Sequence, residues 1–297
     1  MPKPDLYQQV TDRIIQMIED GASSDQFELP WTRGFSSFLP LNARSKATYN
    51  GINILMLWCA AKEHAYEHDV WATYRQWAEL GAQVRGGEKG TPVVYVGTYT
   101  KENEDGEDEE RKGKFLKRYA VFNVAQVDGF DIEAPKRPAL AERIENAERF
   151  VANTKAKIEY GANSAYYHPG NDTIHMPDFE RFTDTKTATA TENAYSTLLH
   201  ELTHWTAPED RADRPHNYAD KKERAFEELV AELGASFLCA SLGITPETRA
   251  DHAHYLASWL KALKDDKKAI FRAATQASKA AEYLHSLQPE TQERDAA

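Results

Sequence analysis

The sequence predicts an α+β fold made of two tandem domains. Three features carry that prediction. Residues 91–100 and 115–127 alternate apolar and polar side chains with the period of two that half-buried strands need. Residues 140–287 place their apolar side chains mainly at the three-to-four-residue spacing of helices. Between them, residues 132–139 (IEAPKRPA) set two prolines and mixed charge where neither period survives. The expected division is an α+β domain over 1–132, a linker at 133–139, and a mostly helical domain with a small sheet over 140–297.

Each element follows from its local pattern. Residues 5–19 form an amphipathic helix, with Leu6, Val10, Ile14, Met17 and Ile18 near one stripe. A loop containing Trp31 and Pro40 follows. Residues 51–63 (GINILMLWCAAKE) are apolar almost all round, as in a helix central to a core. A short helix over 73–80 stops at Gly81. The two strands then form a hairpin whose long turn is the acidic run 102–110 (ENEDGEDEE). After the linker come a helix over 140–158 and a strand–turn–strand unit over 164–176, turning at Pro169-Gly170-Asn171-Asp172. Helices at 191–206, 221–241, 247–263 and 265–287 complete the chain, and the last ten residues read as frayed.

Composition narrows the class. The 297 residues are 41% hydrophobic and 28% charged, ordinary for a globular protein. No apolar run approaches the roughly 20 residues of a membrane span, and the N-terminus lacks the apolar stretch of a secretory signal. Cys59 and Cys239 both sit in apolar helical patterns and read as buried thiols, which places the expected location in a reducing cytoplasm. The net charge of −11 does not exclude nucleic acid. Residues 1–132 hold 15 Lys/Arg against 20 Asp/Glu, but seven of those acids lie in the 102–110 turn.

The most specific motif is His200-Glu201-Leu202-Thr203-His204. Helical residues four apart lie on one face, so His200 and His204 can hold one metal ion. Glu201, beside the first ligand, is placed as general base. A catalytic zinc takes a third protein ligand and keeps one position open. Glu228 and Glu232 lie four apart on the apolar-faced helix over 221–241, and helix spacing allows either to be that ligand. The arrangement resembles the gluzincin metallopeptidases. That resemblance implies that Glu228 is the third ligand and that Glu232 fixes the ring of a ligating histidine. The longer metzincin motif, HExxHxxGxxH, is not met, because Ala207 and Asp210 stand where it needs glycine and histidine. The expected cofactor is one zinc ion, with manganese as the alternative. His216 and Tyr218, between the two metal helices, are candidates for stabilising a transition state. The 164–168 strand could offer an edge to an extended peptide of an unidentified host protein, although Tyr166, Tyr167, His168 and His175 equally suit packing and turn roles.

The N-terminal half interleaves aromatic and small polar residues with cations, as single-stranded nucleic acid requires. Trp31, Asn42, Tyr49, Asn53, Trp71, Tyr74, Gln76, Trp77, Arg85 and Lys89 are the candidate DNA contacts, with Tyr95, Arg44, Lys46 and Arg75 nearby. Gly86-Gly87-Glu88-Lys89-Gly90 would let backbone approach phosphates. Most of these aromatics would equally serve a core. Taken in order, Pro30-Trp31, Asn42, 49–53 (YNGIN), 71–76 (WATYRQ), 80–90 (LGAQVRGGEKG) and 121–124 (VFNV) resemble the single-stranded-DNA-binding domain of plasmid anti-restriction proteins, and part of the conjugative TraC primases. The match covers about residues 5–130. Residues 200–205 (HELTHW) followed by 227–238 (EELVAELGASFL) resemble the metallopeptidase domain of polyvalent mobile-element proteins. Both domains in this order resemble the ArdC type of anti-restriction protein. That implies binding to single-stranded DNA and shielding of incoming plasmid DNA from host restriction, with duplex DNA left open as a further partner. One departure is Arg211-Ala212-Asp213-Arg214, where the family often has Arg-Leu-x-Arg. The roles of these two arginines stay open.

Overall fold

The computed structural model describes residues 5–22, 29, 31, 38–101, 111–132, 138–214, 219–246 and 252–289. It resolves into two compact units, residues 40–134 and residues 1–39 with 135–297. This division differs from the expected 1–132 domain by grouping residues 1–39 with the C-terminal half. The first helix, α1 (Leu6–Ala22), packs with the C-terminal half rather than with the sheet that follows it. Its buried stripe is Val10, Ile14, Ile15 and Ile18, and Thr11 donates to the Lys267 carbonyl at 2.7 Å. Salt bridges Glu19–Lys264 and Asp5–Lys267 line its rim.

The smaller unit contains β1 (Leu41–Asn42), α2 (Ile52–Glu63), β2 (Val70–Thr73), α3 (Tyr74–Glu79), β3 (Gln83–Val84), β4 (Thr91–Lys101), β5 (Arg111–Asn123) and β6 (Val127–Asp128). Its main sheet runs β1-β2-β5-β4, parallel at β1–β2 and antiparallel elsewhere, and β3 pairs with β6. The β4–β5 hairpin is the one the alternation predicts; its acidic turn at 102–110 lies outside the described residues. Helix α2 buries nine of its twelve residues, as its all-round apolar sequence requires. Leu57, Ala60 and Ala61 of α2 pack with Trp71, Val93 and Val121 on one side of the sheet. Trp77, Ala72, Val84, Val124 and Val127 form a second cluster.

In the larger unit, α4 (Leu140–Thr154) ends earlier than expected. Lys155 adopts a left-handed conformation (φ 59°), and the chain enters a strand, β7 (Lys157–Tyr160), within the segment read as helix. Strands β8 (Tyr166–His168) and β9 (Thr173–Met176) are the anticipated strand–turn–strand, and the three form a sheet in the order β7-β9-β8. Four helices follow: α5 (Ala190–Trp205), α6 (Lys221–Leu242), α7 (His252–Asp265) and α8 (Ala269–Ser286). A core of Phe150, Ile174, Leu198, Leu199, Leu202, Leu238 and Leu284 joins sheet and helices. Among the described residues, no helix is long and apolar enough to cross a membrane.

Candidate metal centre

The site rests on α5 and α6. Thr189 and Glu192 close a capping box at the start of α5, and Glu192 also meets Arg143 at 2.6 Å and Thr245 Oγ1 at 2.9 Å. Asp220 caps α6 by accepting from the Lys222 and Glu223 backbone, and left-handed Gly243 ends it. The two helices touch closely where Gly234 faces Thr203, inside the HELTH motif. A Cβ on Gly234 would lie 2.5 Å from Thr203 Cγ2, so glycine here sets the helix separation.

That separation brings His200, His204 and Glu228 together, with one ligand atom from each within 4.8 Å of the others. Glu228 Oε2 lies 3.5 Å from His200 Nε2 and 3.8 Å from His204 Nε2. A tetrahedral ion with bonds of about 2.0–2.2 Å needs ligand atoms roughly 3.3–3.6 Å apart, and the two carboxylate–imidazole distances lie within tenths of an ångström of that span. Glu201 is buried on α5, one residue after His200.

Each ring presents its other nitrogen to a second carboxylate. His204 Nδ1 donates to Glu227 Oε1 at 3.1 Å, which makes Nε2 the ring nitrogen turned toward Glu228 and available to a metal that displaces its proton. Arg214 grips Glu227 with both prongs, at 2.7 and 2.8 Å, and reaches the Thr203 carbonyl at 2.8 Å. His200 Nδ1 lies 3.6 Å from Glu232 Oε2. Burial alone would push these carboxyls up and the imidazole down, but their mutual charge wins. Glu227 is carried down to about 2 by Arg214 and His204, and Glu228 falls far below the usual carboxylate range through the two histidines. His204 is raised to about 10 by Glu227 and Glu228. The pocket thus favours positive charge at its centre.

Sequence reasoning missed Glu227 and Arg214. Adjacent glutamates on a helix usually point to solvent, and nothing local marks the one that turns inward. Arg211, the other arginine left open, sits 3.8 Å over the Trp205 ring and donates to Asp172 Oδ1 at 2.9 Å, tying the β8–β9 turn to the end of α5. His216 and Tyr218 lie outside the described residues.

The candidate DNA contacts separate into groups. Trp31, Trp71 and Trp77 are 1%, 0% and 0% exposed, so their rings cannot stack on a base in this conformation. Trp31 belongs to the larger unit, whereas Trp71 and Trp77 sit in the two clusters of the smaller one. Asn42 donates to Tyr49 Oη and Gln76 Oε1, Gln76 closes the capping box of α3, and Asn53 brackets the Val94 backbone with two 2.8 Å bonds. Tyr49 is half-buried, and that burial raises its pKa. Arg85 is engaged with Glu88 at 2.8 Å and with the Ala125 and Val127 carbonyls. Tyr74 is 53% exposed, and Lys89 is exposed. The sequence reading passed over Tyr119, which at 45% joins Tyr95 at 56% among the exposed aromatics.

Comparison with known proteins agrees with this anatomy. Residues 4–122 match the family model for the N-terminal domain of the anti-restriction factor ArdC, and residues 145–276 match that of the zincin-like metallopeptidases, a class built around a divalent metal. The uncharacterized protein y4eC of Sinorhizobium fredii (strain NBRC 101917 / NGR234) is 41% identical over 98% of this chain and 95% of its own. DNA primase TraC of Escherichia coli is 35% identical over 95% of this chain, which spans 27% of the primase. The crystal structure of the antirestriction ArdC protein from plasmid R388 superposes with a TM-score of 0.79 in its metal-free form, at 44% identity over 95% of this chain and 97% of that one. Its Mn(II)-bound form gives 0.78 at 42% identity, covering 97% and 100%. Both domains recur in the same order across almost the whole length, and the chain belongs to the ArdC family of anti-restriction proteins.

Proposed function

We propose that this chain is an anti-restriction protein that binds single-stranded DNA through its smaller unit and carries a zinc peptidase centre in its larger one. The convergence of His200 Nε2, His204 Nε2 and Glu228 Oε2 on one point is the observation that carries the metal reading. A donor set of two imidazoles and one carboxylate suits zinc, and the Irving–Williams order places manganese below it in affinity. Bound zinc would supply Lewis acidity toward a peptide carbonyl and a water more acidic than bulk. Glu201 takes the proton of the attacking water and returns it to the leaving amide nitrogen. Glu227 and Glu232 hold the two rings in their ligating tautomer. Strand β8, at the edge of its sheet, offers main-chain groups to an extended host polypeptide.

For DNA, the β4–β5 face supports the reading better than the tryptophans. Tyr95 pairs with Lys117, and Val93 with Tyr119, so Tyr95, Lys117 and Tyr119 share one exposed stripe of rings and charge. Protein cleavage in cell extract, measured with and without single-stranded DNA for wild type and Glu201→Ala, tests the whole. Zinc-dependent cleavage lost in Glu201→Ala, with DNA binding retained, supports it. DNA-independent cleavage by a chain that binds no DNA would reduce it to a peptidase, and no cleavage would leave DNA coating alone.

A further inference from the structure

The N-terminal segment reaches Glu232, beside the candidate metal centre. Trp31 precedes the sheet unit by nine residues and falls within the stretch matched by the N-terminal domain model, yet its side chain is buried in the larger unit. Its indole Nε1 donates to Glu232 Oε1 at 3.3 Å. The other oxygen of that carboxylate, Oε2, is the one 3.6 Å from His200 Nδ1, while His200 Nε2 faces Glu228. The Trp31 ring packs at 6.4 Å on Trp259, whose own Nε1 is anchored on the Ala225 carbonyl of α6 at 2.9 Å.

We propose that Trp31 is a positioning residue of the metal centre, holding Glu232 so that Glu232 can hold His200. This rests on the metal reading above. The physical argument is a buried carboxylate with two oxygens and a soft terminal torsion. Glu232 is buried, so each oxygen must find a donor or suffer uncompensated desolvation. The indole N–H, itself fixed by a packed ring, satisfies Oε1 and leaves Oε2 turned toward the imidazole. The centre thus has two supporting arms. His204 is held through Glu227 by the Arg214 guanidinium, a charged bidentate clamp from the same domain sequence. His200 is held through Glu232, which accepts from a neutral donor brought in from 201 positions earlier in the chain. The metal site is therefore completed by the segment that leads into the DNA-binding unit, and residues 140–297 alone lack one of its supports.

The test uses the full chain. Zinc affinity is measured by competition with a chromophoric chelator, and the visible spectrum of the cobalt(II) form reports ligand geometry. Trp31→Phe keeps a ring and removes the donor; it is expected to weaken zinc binding about tenfold and to shift the cobalt bands, the scale usual for losing an outer hydrogen bond to a ligand. Trp259→Phe, which disturbs the same packing without touching Glu232, should lower the melting temperature and leave zinc affinity near wild type. On a Glu232→Ala background, Trp31→Phe should cost no further affinity, because the group it acts through is gone. Wild-type affinity and spectrum in Trp31→Phe overturn the inference alone. So does an equal loss in Trp259→Phe, or an undiminished loss on the Glu232→Ala background. A wild-type chain that takes up no zinc overturns the metal reading and this inference with it.

Discussion

Replacing Gly234 by alanine opposes two effects that can be weighed from the structure. Glycine in a helix interior is less favourable than alanine by about 1 kcal/mol, so propensity alone predicts that Gly234→Ala stabilises α6. The added Cβ, however, would sit 2.5 Å from Thr203 Cγ2, 2.8 Å from its Oγ1 and 3.2 Å from its Cβ. Ordinary carbon contacts lie near 3.5–4.0 Å, so α5 and α6 must part locally by roughly 1 Å. Thr203 is β-branched, fully buried and bonded to the Leu199 carbonyl, so it cannot swing aside. Overpacking of this kind costs about 1–3 kcal/mol, which leaves a net loss of up to about 2 kcal/mol after the helix gain. The metal should feel it more. The Glu228 oxygen is now 3.5 and 3.8 Å from the two ring nitrogens, and 1 Å more would take it beyond the span of one tetrahedral ion. We expect a melting temperature lower by several degrees and zinc affinity reduced more than tenfold, by circular dichroism and chelator competition. Thr203→Ala in the same chain removes the two nearest atoms and should restore both. A Gly234→Ala chain that melts higher and binds zinc normally would refute the argument that this contact sets the ligand spacing.

Other expectations follow from the same geometry. Glu228→Ala should abolish zinc uptake, whereas Glu232→Ala should weaken it about 10–100-fold; the reverse order would exchange their roles. Glu201→Ala should keep metal and DNA affinity while losing proteolysis, and in a purified assay it should still protect DNA from a restriction nuclease if protection comes from coating; loss of protection with intact binding would make the metal centre the effector. Trp71→Ala and Trp77→Ala should destabilise the smaller unit by about 3–5 kcal/mol, whereas Tyr95→Ala and Tyr119→Ala should leave melting unchanged and cost about 1–3 kcal/mol of single-strand affinity each. Burial would raise the Glu192 carboxyl, but Arg143 and the Thr189 and Thr245 donors hold it down to about 2 from an ordinary 4.5. Its stabilisation, at most about 3 kcal/mol and less after solvent screening, is therefore full above pH 5 and fades as pH falls toward 2. Acid titration of stability should show a shallower slope in Glu192→Gln than in wild type, the remainder coming from Glu227 and Glu228.

The sequence determined what depends on near neighbours. The pitch of a helix alone puts His200 and His204 on one side of α5, and i,i+4 spacing narrows the third ligand to Glu228 or Glu232. Alternation alone shows β4 and β5, and all-round apolarity shows α2 as a buried helix. Tertiary structure decided whatever joins distant segments. A tryptophan's pattern reports that it is large and apolar, not which core receives it, so Trp31, Trp71 and Trp77 looked alike while one belongs to the metal unit and two to the sheet. The helix over 140–158 breaks at Lys155 because β7 gains the ladder of β9, a partner 16 residues along. Glu227 and Glu228 differ by the 100° that separates consecutive helical residues, and only the packing of α6 on α5 turns one toward Arg214 and the other toward the open centre. Local rules fix which residues share a face; the close approach at Gly234 fixes what that face meets.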